Sequence, residues 1–190
     1  GRILIGHTYS DPEKLAADLL HEQAGERDIA LYVAAPHQVL AYAPQQLFLD
    51  PSDTSRIWFT DYRPARRSFR GFGIRRAQSE EDWKAINSLY QSRHMLPVNP
   101  ELCTPREQGG PVYWLAEDDD SGEIIGSVMG INHHKAFNDP ENGSSLWCLA
   151  VAPNCTRPGV GEALVRHLIE HYMGRGLAYL DLSVLHDNKQ

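Results

Sequence analysis

The fold is decided by one run of the chain, Ser144-Ser-Leu-Trp-Cys-Leu-Ala-Val-Ala-Pro-Asn-Cys-Thr-Arg-Pro-Gly-Val-Gly-Glu-Ala-Leu-Val-Arg-His-Leu168. Its first part, Ser145–Val151, is short and apolar, which is typical of a buried strand. Its last part places apolar residues at helical spacing, and that stripe continues to Tyr172. Gly159 and Gly161 open the helix. The run therefore predicts a strand, a glycine turn and a helix in direct succession.

The glycine turn is suited to a phosphate group. A helix N-terminus presents backbone N–H groups without intrahelical partners and the positive end of the helix dipole. Glycines let that backbone approach an anion closely. A P-loop would need a Lys after the glycines, and a dinucleotide-binding turn would need a third glycine where this chain has Leu164. The Gly-x-Gly spacing alone is equally compatible with a helix that simply begins with glycines.

The elements around this run predict a layered α/β domain over residues 72–190, in the order strand, helix, three strands, helix, strand. The predicted elements are Phe72–Arg76, a helix capped at Ser79, Val112–Glu117, Glu123–Asn132, Ser145–Val151, Gly161–Met173 and Tyr179–Val184. An irregular loop is expected from His133 to Gly143.

Residues 1–60 predict a small N-terminal α/β segment of unknown role, and the polar, basic residues 61–71 predict a linker. The segment's helix is expected to start at the Ser10/Asp11 cap and to end near Gln23. Its predicted strands are Arg2–Gly6, Ile29–Ala34, Val39–Ala43, Gln46–Leu49 and Arg56–Thr60.

The composition of the 190-residue chain, with 42% hydrophobic and 23% charged residues, is that of a soluble globular protein. Its net charge of -7 argues against non-specific nucleic-acid binding, because phosphate contacts need clustered Lys and Arg. One cluster of arginines is locally positive although the chain as a whole is acidic. We interpret it as a solvated linker with arginine-rich strand edges, and the alternative is a polyanion site. Its members are Arg63, Arg66, Arg67, Arg70, Arg75 and Arg76.

Two further features bear on location. No run approaches the roughly 20 apolar residues of a membrane span, and no signal peptide opens the chain, so no membrane partner is expected. The three cysteines, Cys103, Cys148 and Cys155, are odd in number and irregular in spacing. This pattern predicts free thiols in a reducing compartment. We therefore expect a cytoplasmic protein.

Thr156-Arg-Pro-Gly-Val-Gly161 resembles the acetyl-CoA binding motif of the GNAT superfamily of N-acyltransferases, which reads Q/R-x-x-G-x-G/A after a central strand. Thr156 stands where the family has Gln or Arg, and Pro158 removes one N–H from the turn. Leu182-Ser-Val-Leu-His-Asp-Asn188 looks like the family's next motif, a strand followed by an Asn that touches the cofactor. The resemblance covers about residues 70–190.

The resemblance implies a GNAT-like mixed central sheet flanked by helices, with the C-terminal part of the fold absent. Family members continue past the Asn with a helix, whose Tyr is commonly the acid for the leaving thiolate, and with two more strands. This chain ends at Gln190. The strand at Tyr179–Val184 is therefore expected at an exposed sheet edge, which contacts in an oligomer such as a homodimer would cover.

The resemblance also implies a place for acetyl-CoA, or coenzyme A, as the co-substrate, and no metal. The strand Ser145–Val151 would splay from the strand Tyr179–Val184, and the pantetheine arm would lie between them. The N–H of Ala150 or Val151 would stabilise the oxyanion. The residues implied to hold the cofactor are Leu149, Ala150, Val151, Arg157, Gly159, Val160, Gly161, Glu162 and Asn188.

A general base is expected, because the acceptor amine must lose a proton before it attacks the thioester. Family members often place a Glu or His at central-strand positions that here hold Ser145 and Trp147. The remaining candidates are His133, His134, Glu117 and Glu141, of which His133 and Glu117 are the predicted catalytic bases. For the histidines, the alternative is that they are surface residues of a loop.

Two further interpretations are less favoured. Cys148 could form a covalent acyl-enzyme, but a Cys in an apolar strand is more often core packing. His167 and His171 stand at i and i+4, a spacing that zinc can use, but two ligands are too few for a metal site.

A narrower resemblance concerns Ser144–Val151 and Leu180–Asn188. Both look like a bacterial subgroup that joins an acetyltransferase domain to a C-terminal ATP-grasp ligase and is associated with the osmolyte N-acetylglutaminylglutamine amide. This implies an N-acetyltransferase that moves an acetyl group from acetyl-CoA to a primary amine of a small molecule, such as the α-amine of glutamine or a glutamine dipeptide. A non-catalytic acyl-CoA-binding sensor and an interaction module without CoA binding stay open as alternatives.

Overall fold

The computed structural model describes residues 2–25, 28–98 and 110–185. These residues form two compact units. The first runs to Asp53 and includes Val184 and Leu185, and the second spans Thr54–Ser183. Among the described residues, no helix has the length and apolar character needed to cross a membrane.

The first unit begins with a β–α–β arrangement. Strands β1 (Ile3–Ile5) and β2 (Ile29–Leu31) pair in parallel, and helix α1 (Pro12–Leu20) lies in the connection between them. The Asp11 side chain caps α1 by accepting a hydrogen bond from the backbone N–H of Glu13. All three elements and the cap agree with the sequence prediction.

The next part of this unit differs from the prediction. The predicted strand at Val39–Ala43 is wrong, because helix α2 (Pro36–Tyr42) starts at a proline whose fixed φ suits a first helical turn. No strand forms at Gln46–Leu49 either. The N–H groups of Gln46 and Leu47 both donate to the Ala43 carbonyl, which makes that stretch a turn.

The main sheet has six strands in the spatial order β3, β8, β7, β6, β5, β4. Neighbours from β4 to β7 are antiparallel, and β7 pairs in parallel with β8. The strand bounds are β3 (Ser52–Trp58), β4 (Phe72–Arg76), β5 (Val112–Asp118), β6 (Ile124–Asn132), β7 (Ser144–Val151) and β8 (Tyr179–Leu185).

One helix covers each face of this sheet. Helix α5 (Val160–Met173) packs Leu164 and Leu168 against the sheet in one core, and helix α3 (Glu80–Ser92) packs Ile86 and Tyr90 in a second core. Ser79 and Asp82 form a capping box at the start of α3. The predicted mixed sheet flanked by helices is confirmed. The loop expected after β6 instead begins with a short helix, α4 (His133–Phe137).

Strand β8 is not at the sheet edge, because β3 lies beside it. The backbone N–H of Phe59 donates to the Ala178 carbonyl at 3.0 Å, and the hydroxyls of Thr54 and Ser183 lie 2.8 Å apart. Since these contacts run in opposite directions along the chain, β3 is antiparallel to β8. A strand predicted for the N-terminal segment therefore protects the edge that was expected to be open.

Residues 61–71, predicted to be a linker, contribute to the core of the second unit. The Tyr62 ring is buried, and its hydroxyl donates to Glu170 of α5 at 2.8 Å. Phe69 packs against the same core. Tyr62 is buried and Phe69 is half-buried, while the arginines of this stretch stay exposed. The polar composition of the stretch therefore gives no indication of its packing.

Candidate functional site

Strands β7 and β8 diverge within the sheet. Their ladder pairs Ser144 with Leu180, Ser145 with Asp181 and Leu146 with Leu182, and it ends there. Trp147–Val151 therefore have no β8 partner in the described ladder. This opens a V-shaped gap whose closed end lies at Leu146, as the sequence resemblance implies.

A β-bulge at Cys148 accompanies the divergence. Ser127 of β6 pairs with Ala150 and Met129 pairs with Trp147, so Cys148 and Leu149 together face Val128. Cys148 has φ 51°, an unusual value for a residue with a side chain. A bulge bends and twists its strand. The bend directs the end of β7 away from the line of β8.

The bulge also determines which backbone groups face the gap. The N–H of Ala152 donates to the Ile125 carbonyl at 2.9 Å, which makes these two residues a hydrogen-bonded pair. Antiparallel pairs alternate, so Ala150 also directs its N–H toward β6, whereas Leu149 and Val151 direct theirs away from β6. The predicted oxyanion donor Ala150 is thus engaged in the sheet, and the Val151 N–H is the better placed of the two.

Helix α5 begins beyond the open end of the gap. Its N-cap, Gly159, has φ 85° and no side chain to cap the helix. The first helical hydrogen bond runs from the Ala163 N–H to the Gly159 carbonyl at 2.9 Å. The N–H groups of Val160, Gly161 and Glu162 therefore have no intrahelical partner. They form a positively polarised cradle suited to an anion.

The two glycines of the motif have different structural roles. Gly159 needs its positive φ, and a Cβ there would lie 2.9 Å from the Phe69 ring. A Cβ on Gly161 would meet only Val151 Cγ2, at 3.6 Å, an ordinary contact. The protein itself thus requires a glycine at Gly159, whereas at Gly161 it has room for a small side chain, which the family motif also accepts.

A cleft of about 530 Å³ lies beside this cradle. Gly161 and Glu162 line it at the start of α5, and Leu149 lines it from β7. The rest of the lining is apolar except for Tyr62 and two arginines. These residues are Ile57, Tyr62, Arg63, Val165, Arg166 and Ile169. An apolar cleft with a basic rim next to a helix N-terminus suits a long, mostly apolar chain that ends in phosphates.

Arg157, predicted to contact the cofactor, is committed elsewhere. Its Nε donates to Asp118 Oδ2 at 2.7 Å, and its guanidinium also pairs with Asp120. The same hydrogen bond holds the pKa of the Asp118 carboxyl well below its usual range. The Arg157 side chain is thus anchored at the β5–β6 turn, and only its main chain stays near the glycine turn.

Arg67, which the sequence analysis assigned to the linker, lies at the cradle instead. A guanidinium nitrogen of Arg67 is 3.5 Å from the position of a Cβ on Gly159, and it forms an ion pair with Glu162. The guanidinium also lies over the Phe69 ring. In the sequence, only the number of arginines in residues 61–71 indicated an anion-binding role, as the polyanion-site alternative to a solvated linker.

The two predicted bases are placed very differently. Glu117 on β5 accepts a hydrogen bond from Arg75 of β4 at 2.5 Å, and β6 separates its strand from β7, so it lies away from the gap. His133 is 1% exposed, and its Nε2 lies 2.8 Å from Ser145 Oγ. The structure therefore brings His133, and not Glu117, to the closed end of the gap.

The other two histidine and acid candidates belong to the surroundings of His133. Glu141 pairs with Arg56 at 3.2 Å. His134 is exposed, and its Nδ1 lies 3.2 Å from the Asp139 carbonyl oxygen. Neither side chain is within the lining of the cleft.

The less favoured interpretations gain no support. Burial raises the pKa of the Cys148 thiol, which disfavours the thiolate that a covalent mechanism needs. His167 and His171 both pack on the Trp114 ring. Within the described part of the chain, no group of three His, Cys, Asp or Glu side chains could hold a metal ion.

Asn188, the predicted pantetheine contact, and Cys103 lie outside the described residues. Cys148 and Cys155 are both free thiols.

Comparison with known proteins identifies the family of this chain. Residues 77–190, more than half of the chain, match the Acetyltransferase (GNAT) family. The chain belongs to the GNAT family. It is similar to serotonin N-acetyltransferase 2, chloroplastic, of Oryza sativa subsp. japonica, with 26% identity over 114 residues. That alignment covers 60% of this chain and 54% of the relative, so the chain spans about half the length of that protein.

One solved structure supports the GNAT fold, and a second is similar over a shorter part of the chain. A tandem GNAT protein from the clavulanic acid biosynthesis pathway, without acetyl-CoA, superposes with a TM-score of 0.56 at 12% identity. The match covers 84% of this chain and 52% of that protein. The ribosomal-protein-S18-alanine N-acetyltransferase of Escherichia coli is 22% identical, with a TM-score of 0.48 over 62% of this chain and 70% of that one.

Proposed function

We propose that this GNAT protein binds acetyl-CoA in the gap between β7 and β8 and transfers its acetyl group to a primary amine. The observation that carries the proposal is the alignment of two features. The ladder between β7 and β8 ends at Leu146, and the gap opens toward a helix that starts with Gly159-Val-Gly161. One feature can accept an extended arm, and the other can accept phosphates.

The pantetheine arm would lie along β7 as an added strand does. Leu149 and Val151 direct their backbone groups toward the gap and would meet the amides of the arm. The Val151 carbonyl already accepts a hydrogen bond from Arg93 Nε at 2.6 Å. The Val151 N–H is therefore the group that we assign to the arm or to the thioester oxygen. Asn188 stays a predicted contact of the arm.

The pyrophosphate would lie against the N–H groups of Val160, Gly161 and Glu162, where the helix dipole favours negative charge. The Glu162 carboxylate would repel a phosphate on its own, but it is paired with Arg67 and with Arg166. This pairing lowers the pKa of Glu162 and keeps arginine charge at the mouth of the cleft. We propose Arg67 as the phosphate contact in place of the Arg157 side chain.

For the acceptor, we propose the α-amine of glutamine or of a glutamine dipeptide. The support is the resemblance of Ser144–Val151 and Leu180–Asn188 to the glutaminylglutamine subgroup. The free thiols of Cys148 and Cys155 support a reducing, cytoplasmic location. A homodimer and the absence of nucleic-acid partners stay predictions.

The replacement of Gly161 tests the cradle. The family motif accepts Gly or Ala at this position, so a single methyl group is tolerated, but the larger side chain of Gly161→Leu would occupy the place of the phosphate. Gly161→Leu should therefore weaken acetyl-CoA binding by roughly tenfold or more, about 1.4 kcal/mol. The melting temperature should not fall, because Leu is a better helix former than Gly and a Cβ at Gly161 meets only Val151 Cγ2, at 3.6 Å. Isothermal titration with acetyl-CoA and a thermal melt measure the two effects.

Gly174→Leu is the matched control. Gly174 ends the same helix with φ -63° and lies at the opposite end of the helix from the cradle. It is exposed, and a Cβ there would be 3.4 Å from the Glu170 carbonyl oxygen. Its acetyl-CoA affinity should equal that of the unmodified protein. Equal affinity in Gly161→Leu would reject the cradle assignment.

A thiol-release assay then separates transfer from sensing. The protein is supplied with acetyl-CoA and with free glutamine or a glutaminylglutamine dipeptide. Release that depends on the amine supports a transferase. Acetyl-CoA binding without release supports the sensor, and the absence of binding supports the interaction module.

A further inference from the structure

A chain of buried polar side chains lies at the closed end of the gap. His133 Nε2 is 2.8 Å from Ser145 Oγ, and Trp147 Nε1 donates to the same oxygen at 2.7 Å. On the other side of the imidazole, Asp139 Oδ2 lies 3.6 Å from His133 Nδ1. Ser145 and Asp139 are 3% and 0% exposed. Polar groups at this depth are costly to bury without polar neighbours. Here His133 is hydrogen-bonded to Ser145 on one side and faces the Asp139 carboxylate on the other.

We propose that the Ser145 hydroxyl accepts the proton of the acceptor amine and passes its own proton to His133, with Asp139 as a positioning residue for the imidazole. The proposal rests on the acetyltransferase function proposed above and assigns its base. It also gives a role to Ser145, which stands at a central-strand position where family members often have a Glu or His. The histidine supplies the basicity, and the serine makes the contact.

The location of Ser145 is the first support. Ser145 pairs with Asp181 in the ladder, one position before the last pair, Leu146 with Leu182. An arm that enters the gap from the cradle can extend only to this last pair, because backbone ladder bonds close the sheet beyond it. The reactive end of the arm would therefore lie beside Ser145.

The hydrogen-bonding capacity of the hydroxyl is the second support. A serine oxygen can donate once and accept twice, whereas the indole N–H of Trp147 can only donate. Trp147 thus takes one acceptor position, and the Ser145 proton can point to His133 Nε2. Among the described residues, no other group is bonded to Ser145 Oγ. One acceptor position is left for an incoming N–H or a bridging water.

The charges around His133 favour the required tautomer. Asp139 on the Nδ1 side favours a proton on Nδ1, which leaves Nε2 free to accept from Ser145. The Asp139 carboxylate is itself held by the N–H groups of Glu141 and Gly143 and by the Tyr179 hydroxyl. The carboxylate that favours this tautomer is therefore held in place, 3.6 Å from Nδ1.

Other charged groups face this cluster from β3, β8 and the loop after α4. Arg56 makes a two-pronged ion pair with Asp181 and also reaches Glu141. The Arg56 guanidinium lies over the Tyr179 ring, 3.6 Å from its centre. This arginine offsets the nearby carboxylates, so Asp139 remains the negative group next to the imidazole.

The step balances without any further reactant. The ammonium form of the amine gives one proton to Ser145 Oγ, while the Ser145 proton moves to His133 Nε2 and forms an imidazolium next to Asp139. The neutral amine attacks the thioester carbonyl and the C–S bond breaks. The amide nitrogen loses its second proton to the leaving thiolate, which becomes the free thiol. His133 then returns its proton to solvent.

The first test needs no turnover. In the intact protein, NMR of nitrogen-labelled histidine reports which nitrogen of His133 carries the proton, with the signal assigned through the backbone. The expected result at neutral pH is a protonated Nδ1 and an unprotonated Nε2. A protonated Nε2 would overturn the proposal, because His133 could then only donate to Ser145.

The second test compares two neighbouring serines. Ser145→Ala should lower kcat for thiol release with glutamine or the dipeptide by roughly 100-fold or more, with KM for the amine and acetyl-CoA affinity unchanged. If His133 is the base, kcat of the unmodified protein should decline at low pH as His133 becomes protonated. This decline should be absent in Ser145→Ala. Ser144→Ala is the control, since the Ser144 hydroxyl is also buried on β7 but donates to the Tyr179 carbonyl at 2.6 Å. It should keep kcat and the pH profile.

The outcomes separate this proposal from the proposed function. Wild-type turnover in a folded Ser145→Ala variant would overturn the relay and leave the transferase intact. Loss of acetyl-CoA binding in both serine variants would indicate a structural role for the cluster and would also overturn the relay. An unmodified protein that fails to bind acetyl-CoA would overturn the proposed function itself.

Discussion

The two ends of β7 differ in what lies beside them. The first three residues pair with β6 and with β8, and their side chains are buried. Within the described part of the chain, the last five pair only with β6. They carry the bulge at Cys148 and border the cleft through Leu149. One strand thus belongs to a closed sheet at one end and to an open groove at the other.

The difference shows how a sheet can hold a ligand without losing stability. Backbone groups that lack a strand partner are usually a liability. Here they face a narrow gap between two strands and not a free edge, because β3 and β8 continue the sheet beyond it. The closed end holds the buried polar chain of Ser145 and His133, and the open end leads to the glycine cradle. Under the proposed function, stability and cofactor binding would depend on different residues of one strand.

The largest expected effect comes from two leucines on this strand. Leu146 is 4% exposed in the core under α5, whereas Leu149 is 37% exposed and lines the cleft. Leu146→Ala should lower the free energy of unfolding by about 2–5 kcal/mol, because it leaves a cavity. Leu149→Ala should lower it by about 1 kcal/mol or less but should weaken acetyl-CoA binding.

Urea unfolding and titration with acetyl-CoA measure both quantities on both variants. Equal losses of stability in the two variants would contradict the difference between the ends of β7, because the strand would then be one structural unit along its whole length. Full acetyl-CoA affinity in Leu149→Ala would show that the cofactor does not lie along the open end of β7.

A change of pH should separate stability from binding. Burial, together with Arg175 and Arg76, lowers the pKa of His171 to about 4, and this histidine packs on Trp114 away from the gap. The unfolded chain, with an ordinary histidine, binds a proton more readily than the folded one. Stability is therefore full above the ordinary histidine pKa and should fall by roughly 2 kcal/mol between pH 7 and pH 5.

His171→Phe keeps an aromatic ring against Trp114 and removes the titration, so its unfolding free energy should change less over the same pH range. Acetyl-CoA affinity of the folded protein should not follow the His171 titration. A pH dependence of stability that is identical in His171→Phe would show that another group causes it.

The local part of this fold could be predicted from the sequence. The glycine turn, helix α5 and strand β7 follow from apolar spacing and from Gly159 and Gly161, which are signals within one short run. The capping residues Asp11 and Ser79 could also be predicted, because a helix cap depends only on residues at the start of its own helix. Elements with a strong local pattern are those in which tertiary packing agrees with local preference.

Contacts between residues far apart in the chain could not be predicted from the sequence. The pairing of Thr54 with Ser183 joins residues far apart in the chain, and nothing near either residue indicates the other. The role of His133 depends on Ser145 and Asp139, which meet only after β6 and β7 pair. Glu117 looked equally suitable as a base, and only the register of β4 and β5 shows that Arg75 holds it.

The smallest expected effect concerns the open end of the comparison. Arg67 is exposed at the cradle and contributes charge, so Arg67→Ala should weaken acetyl-CoA binding by roughly 1 kcal/mol or less, about a fivefold change. Higher salt should reduce the difference, since exposed charges are screened. Acetyl-pantetheine, which lacks the pyrophosphate, should bind both proteins equally. Arg66→Ala removes the same charge from the same exposed stretch and is the control. If it weakens binding as much as Arg67→Ala does, the arginines act through net charge and Arg67 makes no phosphate contact.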